Sequence, residues 1–190
     1  AKRIQNVYLA LVLGNTLAAS FIWGINTIFL LDAGLSNFEA FAANAFFTVG
    51  MVLFEIPTGV IADTRGRQVS FMLGAATLII ATLGYLLLWQ VTASFWLWAV
   101  VSAFLGLGFT FFSGALEAWL VDALHSLEFK GELDAVFAKG QVVGGIAMLV
   151  GSVAGGAIAQ LTNLGVPYII RAVLLVATLL TAFFFMRDLG

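Results

Sequence analysis

Apolar positions along this chain gather into six long blocks separated by short polar stretches. The blocks run over Val7–Leu31, Phe38–Ala62, Val69–Trp89, Phe95–Leu124, Val136–Leu161 and Val166–Met186. About 20 apolar residues at 1.5 Å each are enough for a helix to cross a bilayer. Each block therefore predicts one transmembrane helix. Gly34-Leu35-Ser36-Asn37, Thr92-Ala93-Ser94 and Thr162-Asn163 supply turn residues between blocks. The first block follows Lys2-Arg3 as a secretory signal would. At about 25 residues it exceeds the 7–15 of a signal's apolar region, so it reads as a retained span.

Polar residues inside the blocks fall into lines. In the first helix Asn15, Ala19, Ile22 and Asn26 share a face, as do Asn44, Thr48 and Glu55 in the second, with Gly59 one turn on. In the fourth, Gly106, Thr110, Ser113 and Glu117 do the same. At 3.6 residues per turn an eleven-residue step returns to within about 20°. These lines should face protein or water rather than lipid, either as interhelical hydrogen-bond contacts or as cavity lining. For Glu55 and Glu117 the expectation is a cavity or ion path, because a carboxylate at that depth costs several kcal/mol unless paired or protonated. Both sit roughly 10–12 Å from the same membrane face, close enough in depth to share a proton if their helices are neighbours. Arg171, near the outer end of the sixth helix, is expected to snorkel outward or to pair with Asp32. Gly140, Gly144, Gly151 and Gly155 line one face of the fifth helix, where another backbone can approach closely. Gly145, Ser152 and Gly156 form an adjacent row.

Composition makes lipid the solvent. The chain is 62% hydrophobic and 9% charged, with a mean hydropathy of +1.09, against about 45–50% and 25% for soluble domains. A net charge of −2 and the absence of a basic stripe argue against nucleic acid. With no cysteine, disulfides and thiolate metal sites are excluded. Lys2, Arg3, Arg65, Arg67, Lys130, Lys139 and Arg187 all fall at the termini or in the second and fourth loops. That segregation places both termini in the cytoplasm, with a bacterial inner membrane as the expected location. The charged fourth loop, 125–139, has Phe129, Leu133, Val136 and Phe137 at helical spacing. It reads either as a short interfacial helix or as a solvated linker.

The second loop, Glu55-Ile56-Pro57-Thr58-Gly59-Val60-Ile61-Ala62-Asp63-Thr64-Arg65-Gly66-Arg67, resembles the signature between helices 2 and 3 of the major facilitator superfamily, G-x-x-x-D-[RK]-x-G-[RK]-[RK]. Gly59, Asp63, Gly66 and Arg67 fill their positions. Thr64 and Gln68 replace basic residues, with Arg65 as a nearby substitute. Ser113-Gly114-Ala115-Leu116-Glu117-Ala118-Trp119 and Asp122 resemble the subgroup carrying the EIPTG form. The resemblance implies six helices arranged as two inverted three-helix repeats, forming the N-terminal half of a twelve-helix secondary transporter. It implies a cavity among helices 1, 2, 4 and 5. It also implies a charge network of Asp63, Arg67 and Asp122 that latches the outward-facing state. The implied activity is alternating-access transport of a small molecule, and the matching depth of Glu55 and Glu117 on polar lines adds the expectation of proton coupling through them. No cofactor or metal is expected. The expected partners are the bilayer, substrate and protons, and a second six-helix half encoded in the same gene, supplied by a homodimer or by another subunit. A drug-antiporter signature is only partly matched by Gly151-Ser152-Val153-Ala154-Gly155-Gly156, where Ser stands for Pro.

Other classes fit poorly. A rhomboid-type protease needs Gly-x-Ser-Gly and a base, but Phe111-Phe112-Ser113-Gly114 lacks the first Gly and the sole His125 ends the fourth helix. Neither a Walker A sequence nor an intramembrane Lys for a retinal Schiff base is present. The alternative from another class is a non-transporting scaffold or complex subunit built from a transporter half. The chain is expected to be one half of a protein of about 400 residues, or a natural half that assembles in pairs.

Overall fold

The computed structural model describes residues 2–91, 93–112 and 114–186. Those residues form helices and connections, with no strand among them. In chain order the helices are α1 (Lys2–Trp23), α2 (Asn26–Asp32), α3 (Asn37–Arg65), α4 (Arg67–Gln90), α5 (Phe95–Phe112), α6 (Ala115–Ser126), α7 (Leu133–Leu161) and α8 (Val166–Phe185). Six segments are long and apolar enough to cross a membrane: α1, α3, α4, α5 with α6, α7 and α8. This is the layout of a multi-pass membrane protein.

Two predicted continuous helices are interrupted. The first breaks at Gly24-Ile25, where Ile25 N–H turns back to the Ile22 carbonyl and α2 restarts at Asn26. Glycine is about 1 kcal/mol worse than alanine in a helix interior, so a break is cheap there. The fourth breaks at Gly114, whose φ of 76° lies in the left-handed region that glycine reaches without strain. The fourth loop is also shorter than expected. Between α6 and α7 only residues 127–132 are non-helical, and Leu133, Val136 and Phe137 belong to the first turns of α7. Their helical spacing thus extends a span, and no separate interfacial helix forms. Asp134 in that first turn complements the helix dipole.

Local signals position the other ends. The Ser36 hydroxyl accepts from Glu39 N–H while the Glu39 carboxylate accepts from Ser36 N–H, a capping box that starts α3. Gly66, at φ 98°, both ends α3 and precedes α4, turning the chain within one residue. Asn163 Oδ1 accepts from Gly165 and Val166 N–H at the start of α8.

The bundle is held by a few long seams. α3 packs on α5, α1 on α7, α4 on α5 and α8, and α8 on α1. The core lies between α1, α4, α6 and α8, where Leu11, Phe71, Leu120, Leu124 and Leu175 are fully enclosed. Beyond it, Phe29 of α2 packs among Tyr85, Trp89, Trp98 and Tyr168, with ring centroids 4.1–6.2 Å apart. α3 and α7 are the least enclosed helices. α3 buries only Ala40, Ala43, Gly50, Thr58 and Ala62, and its Phe38, Phe41 and Ile56 side chains point away from the bundle.

Candidate functional site

A cavity of about 910 Å³ runs through the bundle and is lined by residues from all eight helices. The polar line of α1 and α2 forms one wall: Asn15, Ala19, Ile22 and Asn26 all reach it. Asn44 and Phe47 of α3, Glu117 of α6, and Gly140, Gln141 and Gly144 of α7 also line the cavity. Asn26 is the hub of a hydrogen-bonded chain. Tyr168 Oη donates to Asn26 Oδ1 at 2.6 Å, and Asn26 Nδ2 donates to Asn44 Oδ1 at 3.1 Å. The chain joins α2, α3 and α8. Asn26 starts α2 directly after the break, so its side chain is set by an interruption rather than by a continuous helix.

The predicted stripes of α3 and of the fourth span do not all reach this space. Thr48, Glu55 and Gly59 are exposed on α3 and do not line the cavity, so the two glutamates are not brought together in it. The reason is how α3 is seated. Gly50 lies directly against the Ala103 carbonyl of α5, and Gly106 of α5 against the Phe47 carbonyl. Thr48, two residues before Gly50, stands about 200° around the helix from that contact. On the fourth span, Gly106 serves this seam, and Thr110 is buried with its hydroxyl donating to the Leu107 carbonyl. Ser113 lies outside the described residues. The break at Gly114 resets the helical phase, and Glu117, three residues on, reaches the cavity.

The second-loop residues meet at one end of the bundle. Arg67 Nη1 donates to Asp63 Oδ1 at 3.0 Å, and Arg67 Nε lies 3.7 Å from Asp122 Oδ2 on α6. These are the two ion pairs among the described residues. Gly66 makes the geometry possible, because its positive φ turns Arg67 back over the last turn of α3. Arg65 is exposed in that last turn, where a cation complements the helix dipole. Gln68, standing where the signature has a basic residue, donates Nε2 to the Ala182 and Phe183 carbonyls at 2.9 and 3.1 Å. It thereby satisfies acceptors that the end of α8 leaves open.

Gly140, Gly144, Gly151 and Gly155 all face α1. A Cβ at Gly151 would meet the Ser20 side chain, one at Gly155 the Phe21 carbonyl, and one at Gly140 the Tyr8 ring. Gly144 leaves ordinary contact distance to Val12 and Thr16. Gly145 and Gly156, in the adjacent row, have open space.

Arg171 departs from expectation. It neither snorkels nor pairs with Asp32, whose carboxylate accepts instead from Trp89 Nε1 at 2.8 Å. Arg171 is buried, its Nε donating to Thr82 Oγ1 at 3.1 Å and its Nη1 to the Ala18 carbonyl at 3.3 Å. It also lines the cavity. Sequence reasoning placed Arg171 by its distance from the helix end, which carries no information about which way the helix is rotated. Tyr168, three residues before it and on the same face, was the overlooked signal, together with Tyr85 and Ser102, whose hydroxyls lie 2.5 Å apart. Among the described residues no group of three or more His, Asp and Glu could hold a metal ion. In comparisons with known proteins, no protein-family model and no curated protein matches this chain.

Proposed function

We propose that this chain is one half of a secondary transporter that works by alternating access and moves a small molecule through the cavity described above. The carrying observation is a cavity whose key polar side chains follow two helix breaks. Asn26 comes directly after the break at Gly24-Ile25, and Glu117 lies three residues after the one at Gly114. Interrupted helices in corresponding positions of two repeats are the best sequence-level pointer to a transporter's binding site. The pattern of packing supports such a repeat. Exchanging the first three spans for the last three maps the α3–α5 seam onto α7–α1, maps α4–α5 onto α8–α1, and leaves α4–α8 in place.

The resemblance to the major facilitator superfamily gives the remaining roles. Asp63, Arg67 and Asp122 form a latch at the cytoplasmic end that breaks when one bundle tilts against the other. Glu117 carries the coupling proton in the cavity. The exposed polar positions of α3, Thr48, Glu55 and Gly59, face the second six-helix half, which also covers the apolar surfaces of α3 and α7. Both termini are cytoplasmic by the distribution of Lys and Arg. Reconstitution of the full-length protein in liposomes under an imposed pH gradient tests the reading. The expected outcome is solute uptake that collapses with a protonophore. Wild-type protein that takes up no solute, together with an Ala19→Cys variant whose thiol in the cavity wall is closed to water-soluble thiol reagents, would favour a scaffold.

A further inference from the structure

We infer that the cavity selects anions, and that the transported solute carries an oxyanion, a carboxylate or a phosphate, bound by Arg171. This rests on the transport reading and adds the substrate class to it. Arg171 is 7% exposed, and no carboxylate among the described residues lies within ion-pair distance of it. Asp32 is engaged by Trp89, and Glu117 shares the cavity without pairing with the guanidinium. A cation enclosed in a bundle without a counter-ion is costly, so a cation kept there calls for an anion to complete it.

The unused donors point the same way. Of five guanidinium N–H groups, one on Nε is spent on Thr82 and one on Nη1 on the Ala18 carbonyl. Nη2 has no hydrogen-bond partner among the described residues. No fully enclosed side-chain nitrogen or oxygen among the described residues is left unpaired, so Nη2 opens on the cavity that Arg171 lines. The two fixed hydrogen bonds hold the guanidinium plane and leave an edge free for an oxyanion. Tyr168 and Asn26 are already satisfied by each other and by Asn44, so they do not compete for that edge. The free amide of Asn15 lines the same space and adds a neutral donor. Glu117 is exposed, so water can solvate its charge, whereas Arg171 is enclosed except for the edge that faces the cavity.

The chain has no cysteine, so a single thiol can report the sign of the field. Ala19 lines the cavity beside Ala18, whose carbonyl holds Arg171, and Ala19→Cys changes little volume. In full-length protein in native membranes, the probes are a sulfonatoethyl and a trimethylammoniumethyl methanethiosulfonate, with rates normalised to a free thiol. The anionic reagent is expected to be favoured roughly tenfold or more, as a charge-lined cleft concentrates its counter-ion. Adding Arg171→Gln should abolish the preference and Arg171→Lys should keep it. If Arg171→Gln does not fold, Ala19→Cys alone and its Arg171→Lys version remain decisive. Equal rates for both reagents, a cationic preference, no reaction, or a preference unchanged by Arg171→Gln would overturn the proposal. Labelling reads charge and not flux, so intact pH-driven uptake without an anionic preference would remove the substrate class and leave transport standing.

Discussion

At the scale of single residues, the consequences of this structure concentrate at a few positions whose surroundings leave little choice. Glu117 reaches the cavity and Glu55 does not, so the two carboxylates should behave differently. Glu117→Gln is expected to abolish pH-driven accumulation while leaving solute exchange measurable in proteoliposomes. Glu55→Gln should retain accumulation unless the second half brings Glu55 to the pathway. Unchanged accumulation in Glu117→Gln would remove that residue from coupling. Gly66 and Gly59 both belong to the loop signature but are held by different physics. Gly66 has a φ of 98°, so Gly66→Ala should destabilise by about 1–3 kcal/mol, seen as a lower unfolding temperature in detergent. Gly59 is helical with open space around it. Gly59→Ala should not destabilise, gaining up to about 1 kcal/mol of helix propensity, and should impair only function that depends on the facing half.

At the scale of elements, glycines set the seams by close approach: Gly50, Gly106 and Gly155 lie against backbone, and Gly140 and Gly151 against side chains of α1, with no room for an added atom. Gly155→Leu and Gly151→Val should force α7 away from α1, with a loss of roughly 1–3 kcal/mol typical of overpacking. Gly145→Ala and Gly156→Ala, one row over, should be neutral or stabilising by up to about 1 kcal/mol in the same thermal unfolding series. Equal losses in both rows would mean that the α1 seam is not where the packing energy lies. The predicted spans agree closely with α3, α4 and α8, because long apolar blocks with turn residues between them leave helix ends little freedom. The two breaks were not legible. A single glycine inside an apolar block lowers helix propensity by only about 1 kcal/mol, and packing decides whether the chain continues.

At the scale of the whole molecule, Arg67 bridges α3 and α6 through Asp63 and Asp122. Arg67→Ala or Asp63→Asn is expected to shift the population toward inward-facing. Spin-label distances between the two halves should report this, and an unchanged distribution would contradict the latch. An exposed pair of this kind is worth about 0–1 kcal/mol, enough to change the population ratio by a few-fold but not to unfold the protein. The long apolar faces of α3 and α7 call for lipid or a second bundle. Mass measurement in nanodiscs is expected to find this bundle joined to another six-helix unit whenever solute flux is present. Flux from a confirmed lone six-helix monomer would require a pathway within a single bundle.

What the sequence determined by itself was the solvent and the periodicity. Apolar blocks of spanning length can lie only in lipid, and glycines at steps of four and seven can make only one smooth face, so six spans and the α7 seam follow directly. The Asp63–Arg67 pair was expected only through the resemblance of the second loop to a known signature, and the turn at Gly66 brings the two side chains together. Only the tertiary structure decided which polar residues share a cavity. Rotation of a helix about its axis is set by the contacts it makes elsewhere. Gly50 seated on α5 turned Thr48 and Glu55 outward, and the break at Gly114 turned Glu117 inward. The orientation of α8 between α1 and α4 enclosed Arg171 beside the cavity, leaving a cation with no carboxylate partner among the described residues.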